Sequence, residues 1–536
     1  MRHCVWLLVL VFAGSVSGGA GAVKDEPFLQ DVAVRIETAK ELGQPVFRKL
    51  CVDKEGVPYV LSDKGMARVF DHALAPDHSF RPLAGQLPKD IAVSPQGDLY
   101  YLFEDRWLSN GRTGEPLGHF PPGSFDTIAV ADDGTVWLSG KGRLARMRGN
   151  QIDYPSTSAS GSAWIIQPAG LEAMPALAVD GQLKWKNSAH LSGVTALARR
   201  GDGEILVGTH DGYLGIDRMD GHETTTRQTK LPWTDITRIF PVADGVWFGT
   251  TRGAFFQRSR PAEGPALPEG VNGVRYYASR RWLKDDVVVD LAIDPEGSLW
   301  VLTKTGLNKI EFRSMTLAQK AAHFDKKIRQ RHIRYGLSAE RRLPVSGDIA
   351  SSEMIDTDND GGWSSYYLAS QAFRYAATGS REARRNAWEV FYALERLQTI
   401  NSLPGFSSRT IERHGFKFSD PDRWREVPGG DWDWKGHTSS DEICSQTLAH
   451  AVMWECVAKT AEERARVATN YTRMVDHIIR NNWYYVDVDG KPTLWGRWNP
   501  EYVNWYPPSI VDRRLNSAEI TASLQLAYAM TGNKTY

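Results

Sequence analysis

Between residues 431 and 442 the chain reads Asp431-Trp432-Asp433-Trp434-Lys435-Gly436-His437-Thr438-Ser439-Ser440-Asp441-Glu442, which gathers carboxylates, indoles, a histidine and hydroxyls ahead of an apolar run. Paired carboxylates are the tools of glycosidic cleavage: one protonates the leaving oxygen, the other attacks or activates water from the opposite face of the sugar. A loop of similar character, Asp356-Thr357-Asp358-Asn359-Asp360-Gly361-Gly362-Trp363, precedes a second apolar run. Asp360 from this loop and Asp441 or Glu442 from the other form the candidate catalytic pair. Ser439-x-x-Glu442 also has the spacing of a helix capping box, as does Asn516-x-x-Glu519, so Asp441 has the stronger claim of the two.

The same loops offer other chemistry. His437 as base with Tyr366 or Tyr367 as acid would suit a lyase. Trp363, Trp432, Trp434 and Trp505 offer indole faces for stacking on pyranose rings, and Tyr366 joins this binding set. Arg409, in Pro404-Gly405-Phe406-Ser407-Ser408-Arg409, lies in a loop where a guanidinium could clamp a uronate or sulfate. Asp356, Asp358 and Asp360, followed by Gly361, have the opening spacing of a calcium loop, but Tyr367 stands where an EF-hand carries its final Glu. No cofactor is expected, with calcium as the alternative.

Helices must present these loops. Ser370–Gly379 and Ser523–Gly532 nearly repeat one another, and Ile443–Thr460 supplies a third Ala-rich apolar helix between them. More amphipathic segments, Arg381–Ile400 and Ala461–Asn481, follow the first two, so the unit is a helical hairpin. Small residues suit a buried inner ring and charged faces an outer one, as in an α/α toroid. The third hairpin lacks its outer helix, and a truncated toroid with an exposed apolar face on its third inner helix is expected. Leu317, Ala321, Phe324 and Ile328 fall on one helical stripe and form a connector, with Lys326, Lys327, Arg329, Arg331 and Arg334 on its solvated side.

Upstream, Ile91–Tyr100, Ile128–Trp137 and Leu291–Trp300 share an apolar-Ala-apolar, polar turn with Gly, β-former pattern that reads as hairpins. Second turns follow in Leu206–Leu214, Trp247–Gly253 and Trp300–Leu307. A period of about 40 residues with two turns per repeat means propeller blades. A degenerate repeat around Gly161-Ser162-Ala163-Trp164 brings the expectation to seven blades. The Asp and Gly residues of these repeats are turn chemistry, and the propeller is expected to be a platform.

Met1-Arg2-His3, the apolar stretch from Val5 to Val16 and Ala20-Gly21-Ala22 read as a secretory signal, which implies a secreted or periplasmic protein without stable membrane insertion. The 64 basic and 64 acidic residues cancel, so no global field gathers nucleic acid, and a polysaccharide or oligosaccharide partner is expected. Cys51, Cys444 and Cys456 remain after cleavage. The last two would lie about 18 Å apart along one helix, too far to pair, and all three are expected to be buried free thiols.

Val246-Trp247-Phe248-Gly249-Thr250 and Ile205-Leu206-Val207-Gly208-Thr209 resemble the two-component regulator propeller repeat, which implies a β-propeller and extends to non-catalytic sensors. The two helix-entry loops and the hairpin repeat resemble the six-hairpin glycosidase-like superfamily and, more loosely, toroidal polysaccharide lyases. The expected fold is therefore multidomain β + α: a signal peptide over 1–22, a leader over 23–45, a β-propeller over 46–312, a connecting helix and linker over 313–345 and an incomplete α/α toroid over 346–536. The expected activity is glycosidic hydrolysis of extracellular polysaccharide, with a lyase or a carbohydrate-binding sensor as alternatives.

Overall fold

The computed structural model describes residues 24–83, 85–111, 117–131, 134–140, 143–148, 151–153, 162–167, 170–179, 182–185, 188–191, 193–201, 203–217, 222–259, 273–417, 419–505 and 513–536. The expected signal peptide and Gly161 lie outside these residues. Two compact units are present: Pro27–Thr316, and Leu317–Tyr536 together with the described residues 24–26.

In the first unit, turn chemistry sets the strands. The Gly56, Gly97, Gly134 and Gly297 N–H groups each donate to the carbonyl three residues back, and all four glycines sit at positive φ, where a side chain is strained. At the next turn the hydroxyls of Ser62, Thr209, Thr250 and Thr303 donate to the carbonyls of Gly65, Gly212, Gly253 and Gly306 at 2.7–3.0 Å. Repetition of these two turns yields seven sheets among the described residues. Their innermost strands, Phe47–Val52, Asp90–Val93, Thr127–Val130, Ser162–Gln167, Val194–Arg200, Ile236–Val242 and Val288–Ile293, contact one another in turn, and the last returns to the first. A closed ring of radial sheets is a β-propeller.

The ring closes through a strand that the period does not reveal. Phe28–Arg35 pairs antiparallel with Gly306–Met315 and forms the outer edge of the last sheet. The propeller thus starts at Pro27 instead of residue 46, because its first strand completes a hairpin made at the other end of the unit. Apolar clusters fill the spaces between successive sheets, for example Tyr100, Leu102 and Trp107 against Ile128, Val136 and Leu138. Buried aspartates tie neighbouring inner strands: Asp90 accepts from the Ile128 N–H at 2.9 Å and Asp290 from the Leu50 N–H at 2.9 Å. Lys49 and Arg238 neutralise them at 2.7 and 2.8 Å.

The second unit opens with helix α1 (Leu317–Arg331), followed by α2 (Asp360–Thr378), α3 (Arg381–Thr399), α4 (Ser440–Val452, continued by a π-turn over Met453–Val457), α5 (Ala461–Arg480), α6 (Pro500–Trp505) and α7 (Arg513–Thr531). Helix α3 starts where the Ser380 hydroxyl accepts from the Ala383 N–H, and it buries Ala387, Val390, Phe391, Leu394 and Leu397 along one stripe. Helix α5 starts at a reciprocal capping box between Thr460 and Glu463. Helices α2, α4 and α7 contact one another in sequence, with α3 packed on α2 and α5 on α7. Arg466–Glu395 at 2.6 Å and an Arg384–Glu463 pair link α3 and α5. Helix α7 turns Asn516, Glu519, Ser523 and Ala527 inward and leaves Leu515, Ala518, Ala522, Tyr528 and Ala529 exposed.

Cys51 and Cys456 are partly buried free thiols, but Cys444 is exposed, because it lies on the outward side of the first turns of α4. Among the described residues no helix is long and apolar enough to cross a membrane. Asp290→Ala would strip the Leu50 N–H and Arg238 of their acceptor. The expected cost is about 1–3 kcal/mol in urea unfolding. Asp126→Ala, at an exposed site, should stay within about 0.5 kcal/mol, and equal effects would remove the special role of the buried aspartates.

Candidate functional site

Three loops meet at Arg409, which is 4% exposed. Its Nε donates to the His437 carbonyl at 2.8 Å, and its Nη1 donates to the Asn359 side chain at 3.1 Å and to the Asp358 carbonyl. Its backbone joins in as well, with N–H donating to the Lys435 carbonyl at 2.9 Å and the carbonyl accepting from the Gly361 N–H at 3.1 Å. The expected uronate clamp is therefore an internal tie: the loops that surround Arg409 use its guanidinium themselves.

Two ion networks flank this tie. In one, the fully buried Lys435 ammonium lies 2.9 Å from both Asp358 and Asp420, and it donates to Ser419, whose hydroxyl donates to Asp356. Arg423 approaches Asp358 at 2.6 Å. In the other, Arg334 bridges Asp360, at 3.0 Å, and Glu412. Asp360 also accepts from Thr410 at 2.6 Å and Thr357 at 2.7 Å. With both oxygens bonded and no exposed surface, Asp360 is an anchor between loops instead of a group facing a cleft.

The carboxylates near Arg409 diverge in protonation. Burial pushes Asp358 up, but its bond to Lys435 and the charges of Arg409, Lys435 and Arg423 outweigh this and bring it down to about 2. Glu442, 1% exposed, is pushed up to about 8 by burial, against the pull of Arg409, the Gly362 N–H and Gln446. Glu442 belongs to no capping box: Ser439 makes no cap bond at the start of α4, and Glu442 reaches across to α2. Glycine permits this approach, since a Cβ on Gly361 would meet Glu442 Oε2 at 2.6 Å. Among the described residues its other oxygen, Oε1, has no hydrogen-bond partner. Glu519 repeats the pattern in α7, raised to about 8 by burial, with Trp498 donating to it at 3.2 Å. Asn516 lies inside α7, so the expected cap there is absent too.

The remaining sequence candidates separate. Asp441 is exposed and accepts from the Ser439 hydroxyl. His437 adopts a left-handed backbone with φ of 62°, donating its N–H to Asp487 at 2.7 Å. Burial, then Arg423 and Arg409, lowers its imidazole pKa, which favours the neutral ring. Trp363 and Tyr366 are exposed on one side of α2, and Trp505 is exposed at the end of α6. Trp432 is covered by the guanidinium groups of Arg396 and Arg413, 4.0 and 4.2 Å from its ring centre. Trp434 is buried against Phe406 and is core, because it alternates with Asp433 and Lys435 on a strand, Trp432–Lys435, whose other face carries the charges. Tyr367 donates to Asp325 of α1 at 2.8 Å.

The three loop aspartates each have a different partner: Ser419 for Asp356, cations for Asp358 and Asp360. Among the described residues the group whose donor atoms do converge is His414, Glu426 and Asp433. Reading the sequence for acid pairs left Asp358 in the calcium set and passed over Lys435; a lysine inside an aromatic, acidic loop was the available signal.

No family model matches the chain, and no curated protein matches it. Among solved structures, the extracellular domain of the one-component system BT4673 from B. thetaiotaomicron is similar at 14% identity over 53% of this chain and 40% of that chain, with a TM-score of 0.37. Virginiamycin B lyase from Staphylococcus aureus is similar at 11% identity over 53% of this chain and 99% of that chain, TM-score 0.36. BamB from Moraxella catarrhalis is similar at 12% identity over 53% and 97%, TM-score 0.31.

Glu442 and Glu519 hold protons in the folded protein that the unfolded chain releases above its ordinary value of 4.5. Their contribution to stability is complete below that pH and is lost as pH rises towards about 8. Glu442→Gln and Glu519→Gln remove the titration, so each should flatten the decline of melting temperature across that window. An unchanged slope in both variants would contradict the protonated assignment.

Proposed function

We propose that this is an exported carbohydrate-active enzyme whose helical unit hydrolyses a glycosidic bond in extracellular polysaccharide. The observation that carries the reading is the pair of carboxylates held in opposite protonation states around Arg409: Asp358 lowered to about 2 and Glu442 raised to about 8. Acid and base roles follow when environments push two carboxyl pKa values apart. Glu442 is the proton donor to the leaving oxygen. Asp358, 38% exposed and ionised, is the nucleophile or the base for water. Trp363 and Tyr366, on the exposed side of α2 that begins at this loop, suit stacking on sugar rings. The row of inner helices α2, α4 and α7, with α3 and α5 outside, fits a segment of an α/α toroid.

Glu442 is covered in this structure, so a sugar oxygen reaches it only after the residues that enclose it move. That burial favours a second reading, a non-catalytic carbohydrate-binding protein in which Glu442 and Glu519 are packing features of a repeated helix. One screen separates the two: purified chain against a polysaccharide panel, following reducing ends, unsaturated uronates and binding. Hydrolysis predicts new reducing ends, and Asp358→Asn and Glu442→Gln should each lower the rate by about 10²–10⁴-fold. The active form needs Asp358 ionised and Glu442 protonated, so activity should fall as pH rises through about 8, and the residual activity of Glu442→Gln should lack that limb. Binding without bond cleavage supports the second reading. Unsaturated uronates would transfer the chemistry to a lyase, with neutral His437 as base.

A further inference from the structure

The small sheet under the candidate site carries a separate cluster. Strand Trp432–Lys435 lies between Ile411–Arg413 and Trp424–Glu426, and the register sets Glu426 directly opposite Asp433. Like charges facing each other across antiparallel strands repel unless a cation joins them. His414, just past the end of the first strand, brings Nδ1 to 3.1 Å from Asp433 Oδ1 and 3.9 Å from Glu426 Oε1. The three donor atoms all lie within 4.8 Å of one another.

These spacings suit a metal. Zinc bonds of about 2.0–2.2 Å to nitrogen and oxygen in a tetrahedral arrangement set donors roughly 3.3–3.5 Å apart, between the observed values. Asp433 is fully buried and supplies a fixed ligand. His414 and Glu426 are exposed, so an ion can enter from solvent and Glu426 can close the small gap. A ring nitrogen with two carboxylates favours a borderline transition ion over calcium or magnesium, which want six or more oxygens.

We propose that His414, Glu426 and Asp433 bind a divalent transition-metal ion of the zinc class, with a fourth position left to water or an exogenous ligand. Lys417, its ammonium 3.1 Å from Asp433 Oδ2, is the built-in competitor. It is part-exposed and can swing into solvent when the ion binds. The metal pins the strand that carries Lys435, and hence the lysine that holds Asp358 at 2.9 Å. None of the three ligands belongs to the proposed acid pair, so this site stands or falls separately from the hydrolase reading.

Isothermal titration of the whole chelator-treated protein with zinc chloride tests it, with circular dichroism to confirm that each variant folds. One zinc per chain is expected, with His414→Ala and Glu426→Gln each weakening binding roughly tenfold or more and Lys417→Met tightening it. Absence of zinc binding, or binding that His414→Ala and Glu426→Gln leave unchanged, overturns the proposal.

Discussion

The helical unit depends on one buried cation. A guanidinium removed from water must find partners for its N–H groups or forfeit much of its solvation, and Arg409 finds them in the backbone of two other loops. The consequence is mechanical and electrostatic together. The carbonyls of Asp358 and His437 are pinned to one point, and a positive charge sits beside the carboxyl groups of Asp358 and Glu442. Their different fates follow from enclosure. Asp358 keeps part of its surface in water and faces Lys435 and Arg423 in addition, so charge wins. Glu442 has lost its water and has Arg409 as its main opposing cation, so desolvation wins.

Close approach makes that enclosure achievable. Gly361 and Gly362 open helix α2 without side chains, and Glu442 of α4 occupies the space. A buried glutamate recurs in the first turns of α4 and α7, and burial raises both Glu442 and Glu519. In the propeller the corresponding constraint is closure. Its sheets form from local turns, but the ring is completed by Phe28–Arg35 and by Asp290 reaching Leu50, contacts that span almost the whole unit.

Local chemistry was legible in the sequence, and long-range pairing was not. Gly56, Gly97, Gly134 and Gly297 announced their hairpins because a positive φ leaves few other choices. Phe28–Arg35 has no hairpin partner beside it, so nothing nearby marks it as a blade strand. The helices declared themselves through apolar spacing, yet the spacing of Ser439 and Glu442 could not tell a carboxylate folded back on its own cap from one reaching another helix. Trp432 and Trp434 looked alike until the strand placed them in different surroundings, one between arginines and one in the core. Arg409 looked like a ligand clamp because burial by other loops leaves no mark in the sequence around it.

The protonation of Glu442 decides the account most directly. Carbon-13 labelling of glutamate side chains, with Glu442→Gln to assign the resonance, permits its carboxyl group to be titrated by NMR in the intact protein. The account predicts a carboxylic acid at neutral pH that titrates near 8. A resonance that titrates near the ordinary value of 4.5 would contradict it.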